Sequence, residues 1–483
     1  MLSIARNTFY LILSTVYQKF FSFLYIILLA RFLGVANFGK YNFALSFAAL
    51  FAIFTDFGLT MLLLKEVSRD IKRATSNLNQ ILLFKIFTSC ILFLAILGFV
   101  FLSPYPNLTK FYLIIASLAI ILDAFSSTFY DFLRGLLNLK FEAIGVIINR
   151  SASFVLGVAL IVLKASPYLV VLPILLGSLF FFFNALYSLK KNINFSFAPV
   201  FDKSNLKNLL LLSWPFFLAG IFSQLFSSSD TIILASLKGD QAVGLYNAGQ
   251  KLVISLSLFV AATVARLFYP VFNYYFTRSK EHLSFFFHKS VFYLSLLAFP
   301  AACGIFILAG PLVSIIYGQA YSSAVPALKI LVFSLPLMFI DFLFIGLLNG
   351  CDEQKKNTLF RGVGAMALII LNFILVPALA QTGSAISCFV SFVVLSVLNI
   401  REARRLIQFD RAYLINKFFG IFTACLIMCL YLILAQGVLP LMLNIIVGAG
   451  LYFVFLYFFG FLDKNELQNF FSNFHLTKKI LWD

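Results

Sequence analysis

The sequence predicts an all-α polytopic membrane protein of about 14 transmembrane helices, arranged as two six-helix bundles in parallel repeat plus two C-terminal helices. Three observations carry this. Of 483 residues, 62% are hydrophobic and only 11% are charged, and the mean hydropathy is +1.00, whereas an ordinary soluble domain is about 25% charged. Apolar runs long enough to cross the hydrocarbon core, about 20 residues each, recur along the whole chain. The chain also resembles itself when residues 28–44 are laid over 233–249. A folded surface must face water over much of its area, so this composition excludes a soluble enzyme, a nucleic-acid binder and a disordered linker.

The runs lie near 9–33, 41–64, 80–102, 111–133, 143–163, 168–189, 209–237, 241–275, 290–316, 326–349, 359–380, 382–400, 414–435 and 440–462. The first follows Arg6 but is longer than a signal-peptide core and is followed by no A-x-A site, so it reads as a retained helix. The division at Thr382-Gly383 is the faintest. The longest internal connection, 190–208, is too short for a folded domain. This excludes a fused nucleotidase or a large catalytic module between the spans.

Positive charge sets the expected sidedness. With the N-terminus inside, the outer segments hold only Arg31, Lys40, Lys110, Lys164 and Lys238. The inner ones hold clusters such as Lys65, Arg69, Lys72 and Arg73, or Arg401, Arg404, Arg405 and Arg411, and end with Lys464, Lys478 and Lys479. An even number of spans with both termini cytoplasmic follows. The net charge of +18 then points to cytoplasmic loops over an anionic leaflet.

In the internal repeat, Leu29, Ala30, Gly34, Gly39, Tyr41 and Asn42 align without a gap with Leu234, Ala235, Gly239, Gly244, Tyr246 and Asn247. Both segments end an odd-numbered span and open the next. The copies lie six spans apart and share one orientation, the signature of a parallel repeat about an axis along the membrane normal. The expected bundles are residues 1–203 and 204–405, with two extra helices and a cytoplasmic tail in 406–483.

Several motifs are set aside. GVANFGKY at 34–41 nearly matches a P-loop, but Tyr41 stands where the magnesium-binding hydroxyl belongs and no strand precedes it. No ATP site is expected. The six cysteines form no CxxC pair; Cys425 and Cys429 share a helix face and read as packing. The three histidines lie too far apart to suggest a metal site. The 63 Phe are bulk and packing.

Ionisable residues inside spans carry the information, because each costs about 2.5–3.5 kcal/mol or more facing lipid. Lys19 in the first span and Arg266 in the eighth are expected to line a cavity; Arg31 and Lys251 either join them or snorkel to headgroups. Cations suit an anionic substrate, gripping phosphate oxygens. Lys85, Arg150, Lys329 and Lys417 lie near span ends and are expected to snorkel. Asp56, Asp123 and Asp230 either neutralise buried cations or couple to protons, and Asp341 fits either role. Pro215 and Pro270 are the expected hinges.

ARFLGVANFGKYNFALSF at 30–47, DFGL at 56–59, Pro215 followed by Asp230, VGLYNAGQKL at 243–252, RLFYP at 266–270 and YGQAYSSAVPALKIL at 317–331 resemble the polysaccharide transporter family. These are the Wzx-type flippases of the multidrug/oligosaccharidyl-lipid/polysaccharide exporter superfamily. The resemblance covers about residues 5–400. It implies a multi-pass protein of a bacterial or archaeal plasma membrane that moves undecaprenyl-diphosphate-linked oligosaccharide to the outer leaflet by alternating access. It implies a cationic lumen, which Lys19, Arg31, Lys251 and Arg266 fit, and coupling to a proton or sodium gradient without a bound cofactor. A glycan polymerase and a chain-length regulator are the expected partners, and no covalent chemistry is expected. Peptidoglycan-precursor flippases carry cations in the second helix, where this chain has Asp56, so a surface-glycan substrate is favoured. Rival readings are a cation-coupled drug antiporter, which wants an acidic lumen, and a membrane glycan polymerase, which wants larger outer loops.

Overall fold

The computed structural model describes residues 2–193 and 202–461. Its helices are α1 (Leu2–Asp56), α2 (Leu59–Val67), α3 (Ile71–Leu102), α4 (Asn107–Gly135), α5 (Lys140–Val162), α6 (Leu172–Ile193), α7 (Lys203–Phe276), α8 (Lys280–Ile316), α9 (Val325–Leu331), α10 (Ser334–Gly350), α11 (Gln354–Leu406), α12 (Arg411–Leu434) and α13 (Leu441–Phe458). Lys464, Lys478 and Lys479 lie outside the described residues.

Eleven of these helices or bent pairs are long and apolar enough to cross a bilayer, with α9 and α10 forming one crossing bent by 49°. Three of the eleven are too long for one passage. At about 1.5 Å per residue, the 55 residues of α1 would span more than twice the ~30 Å hydrocarbon core. Each divides where helical dihedral angles fail: α1 at Gly34 (φ 70°), α7 at Gly239 (φ 78°) and α11 at Ala380 (φ 48°). Fourteen crossings result, as the hydropathy pattern predicts. Gly adopts positive φ without a Cβ clash. Ala380 does so under strain, just before the faint division expected at Thr382-Gly383.

Polar loop residues start the helices that follow them. Asp70, Ser279 and Asp410 cap α3, α8 and α12 by accepting from the backbone N–H of Arg73, His282 and Tyr413. Pro106 and Pro440 precede α4 and α13.

The chain divides into two compact units: Met1–Asn247 with Asn372–Ala380, and Ala248–Leu371 with Gln381–Asp483. In the first, Leu63, Leu78, Ile81, Phe132, Leu133 and Leu189 join α2, α3, α4 and α6 into one apolar core. Small residues let helices approach: Gly145 makes room for Tyr130, and Gly157 for Tyr25.

In the second unit, α8, α12 and α13 share a core that includes Phe292, Leu296, Ile421, Met428, Tyr452 and Leu456. Pro300 has no N–H, so the Leu296 carbonyl one turn earlier loses its helical donor. The Tyr452 hydroxyl donates to it at 3.0 Å. This bond fastens α13 to α8. Tyr452→Phe is expected to lower stability by about 1 kcal/mol, and adding Pro300→Ala, which restores the helix's own donor, to remove most of that loss; melting curves of the four proteins of the cycle measure it. Lys417 also departs from expectation. It does not snorkel: it is buried, donates to the Phe461 carbonyl at 3.0 Å and stands 4.9 Å from the Phe292 ring.

Candidate functional site

The first unit brings the two repeat copies into direct contact. A Cβ at Gly39 would collide with the Asp240 carbonyl, and a Cβ at Gly244 with the Val35 carbonyl. In the repeat alignment Gly39 matches Gly244 and Val35 matches Asp240, so the contact is reciprocal, as a local two-fold demands. Two further features repeat. Both copies break at the aligned glycines Gly34 and Gly239. Asn42 donates to the Phe38 carbonyl at 2.8 Å as Asn247 does to Val243 at 3.1 Å.

Symmetry fails at Asp230. Where the second copy has Asp230, the first has Tyr25. Asp230 is buried and accepts from the Tyr246 hydroxyl at 2.6 Å and from the Thr231 N–H. Tyr25 instead donates to the Val170 carbonyl at 3.4 Å.

A dense polar cluster inside a span surrounds Lys85. This residue lies about 21 Å along α3, beyond easy snorkelling, and is 1% exposed, contrary to the expectation from sequence. Its ammonium meets Asp56 Oδ1 at 2.8 Å, the Ala124 carbonyl at 2.9 Å, Thr128 Oγ1 at 2.5 Å and Thr60 Oγ1 at 3.3 Å. Three donors thus find three close acceptors and one longer one. The local chain explains the placement of Asp56. Phe57 (φ 48°) and Gly58 (φ 73°) interrupt the second arm of α1, and Asp56 ends that arm beside the N-terminus of α2. There its carboxylate receives the Thr60 hydroxyl and, at 3.4 Å, the Thr60 N–H. A Cβ at Gly58 would strike the backbone at Ser213 and Phe217, so the DFGL turn packs on α7 beside Pro215.

Asp123, the residue before Ala124, takes a hydrogen bond from Ser178 and interacts electrostatically with Arg150. Its Oδ1 is buried with no hydrogen-bond partner among the described residues. Arg150 also acts on Tyr41. It sits near the middle of α5, about 15 Å from either end, so it faces neighbouring helices rather than a headgroup region, again contrary to expectation. Lys19 is half-buried in α1. Tyr17 bonds Ser151 of α5 at 2.7 Å, and Lys19, two residues on, turns about 200° away from that face. Arg31 is exposed.

In the second unit, Asp341 neutralises a cation: it pairs with Arg361 at 2.8 Å and accepts from Asn399 at 3.2 Å. Lys251 is half-buried. Arg266 and Pro270 lie on the helical backbone of α7, and their side chains are outside the described ones. Within α7 the break in helical geometry falls at Gly239, between Pro215 and Pro270.

Sequence reasoning missed Lys85 and Arg150 as interior charges. One signal was available for Lys85: Asp56 deep in a span requires a cation.

The family model described as polysaccharide biosynthesis protein matches residues 4–276, more than half of the chain. The chain belongs to that family. It is a multi-pass membrane protein. An uncharacterised membrane protein of Methanocaldococcus jannaschii is 22% identical over 279 residues; the alignment spans 56% of this chain and 55% of that one. A protein of Haloferax volcanii named probable low-salt glycan biosynthesis flippase Agl15 is 22% identical over 399 residues, 82% of this chain and 83% of its own length. Among solved structures, the lipid II flippase MurJ in an inward closed conformation shares the fold at a TM-score of 0.77 and 16% identity, covering 95% of this chain and 99% of that one.

Proposed function

We propose that the chain is a flippase carrying an undecaprenyl-diphosphate-linked oligosaccharide from the cytoplasmic to the outer leaflet of a bacterial or archaeal plasma membrane, for assembly of a surface polysaccharide. The family match over residues 4–276 carries this reading, and the similarity to Agl15 supports it. The physical task is to lower the barrier for a charged headgroup in hydrocarbon. Lys19, Arg31, Lys251 and Arg266 grip the diphosphate, and Arg150 joins them. Lys85 does not, because its ammonium is already spent on four oxygens. Alternating access moves the headgroup while the polyprenyl tail stays in lipid. Both termini face the cytoplasm, and the chain makes and breaks no covalent bond. It hands its cargo to a polymerase and a chain-length regulator.

A proton or sodium gradient drives the cycle. Of the three acidic candidates, Asp123 is the best placed to take up a proton, because one of its oxygens makes no bond. Asp56 and Asp230 are committed to partners.

Reconstitution tests the reading. Purified protein in vesicles bearing a fluorescent polyprenyl-diphosphate oligosaccharide is expected to speed its transfer between leaflets, and Lys19→Ala or Arg266→Ala to slow it about tenfold, the loss of one charge-assisted contact. Transfer no faster than in empty vesicles sinks the proposal; extrusion of cationic dyes by the same vesicles replaces it with drug antiport.

A further inference from the structure

Four oxygens from three helices converge on one point in the first unit: Asp56 Oδ1, Thr60 Oγ1, Thr128 Oγ1 and the Ala124 carbonyl, at 2.5–3.3 Å from Lys85 Nζ. One is anionic, two are hydroxyls and one is a backbone carbonyl, a donor set suited to a hard monovalent cation. The Phe125 ring closes one side, 5.9 Å from the ammonium. Asp131, which interacts electrostatically with both Asp56 and Lys85, pairs with Arg134 at 2.6 Å. The Asp56 side chain keeps 21% of its surface exposed while that of Lys85 keeps 2%, so the carboxylate is the more accessible partner.

We propose that this cluster is a monovalent-cation site, of the kind that takes sodium, whose occupant is the chain's own Lys85 ammonium. The tether makes the cation permanent. The carboxylate stays neutralised without drawing an ion from solution, and this site takes no part in sodium coupling. The inference rests on the geometry alone and stands whether or not the chain is a flippase.

Removing the tether uncovers the site. Melting of the purified full chain is followed in choline buffer with sodium or methylammonium added at constant ionic strength. The wild-type protein is expected to show no cation-dependent shift. Lys85→Ala is expected to melt lower in choline and to recover by several degrees, saturably, as sodium or methylammonium fills the vacated cage. Asp56→Ala combined with Lys85→Ala is expected to lose that recovery. Lys85→Thr, which adds an oxygen and fills part of the space, is expected to behave like Lys85→Ala. A folded Lys85→Ala protein indifferent to both cations overturns the proposal. So does an equal rise in the wild-type protein, or failure of both Lys85 variants to accumulate in cells whichever cation is supplied.

Discussion

In sodium-free medium, Lys85→Met lowers the stability of the protein by about 3–5 kcal/mol, the penalty for stranding one member of a buried ion pair. The methionine fills similar volume but takes away the cation paired with Asp56, and removes the ammonium's hydrogen bonds to Thr128 and the Ala124 carbonyl. Combining it with Asp56→Leu is expected to recover most of the loss, because a buried pair replaced by apolar groups of similar size is often near neutral. Chemical or thermal unfolding of the two variants measures the difference. The double variant also separates folding from transport. If it is stable and still moves lipid-linked glycan, the pair serves the fold; if it is stable and inactive, the pair serves the cycle.

Gly39→Ala and Gly244→Ala each disrupt the contact between the repeat copies. The new methyl at either position would fall within the van der Waals envelope of a backbone carbonyl, Asp240 or Val35, and backbone cannot swing aside as a side chain can. Each variant is expected to lose about 1–3 kcal/mol from overpacking, and the two by similar amounts because the positions are equivalent. The double variant is expected to cost little more than either alone, since the first methyl already parts the segments. Melting curves of the single and double variants test this, and additive losses would refute a shared contact. Close Cα–H to carbonyl approaches of this type contribute about 0.5–1 kcal/mol each, so their loss adds to the penalty.

How far the fold was legible depends on how local each signal is. The crossings of α1 and α7 were separable because glycines at 34 and 239 permit the positive φ that a turn demands. The break in α11 was faint because Ala380 carries it, and alanine gives no such sign. The repeat was legible from six aligned residues, and the Gly39–Gly244 contact explains why two of them are glycine. The DFGL segment was visible as a motif. Its work was not: Gly58 lets α7 approach, and the interruption delivers Asp56 to Lys85.

The interior charges were harder to place. Lys85, Arg150 and Lys417 lie near the ends of apolar runs, and distance to a span end is all that a sequence offers. Whether a long cation turns to the headgroups or into the protein depends on the rotation of its helix and on which oxygens other helices present. Asp341 met Arg361 and Asn399 from farther along the chain, a choice that no spacing within α10 encodes.

Sequence alone determined that the chain crosses a membrane fourteen times and contains a repeated segment, because apolar length, turn-forming glycine and self-similarity are properties of short stretches. Tertiary structure alone decided which buried charges neutralise one another and which remain open to solvent or substrate. Electrostatic energy in a low-dielectric interior depends on separations of a few ångströms between helices, and those separations exist only once the helices have packed.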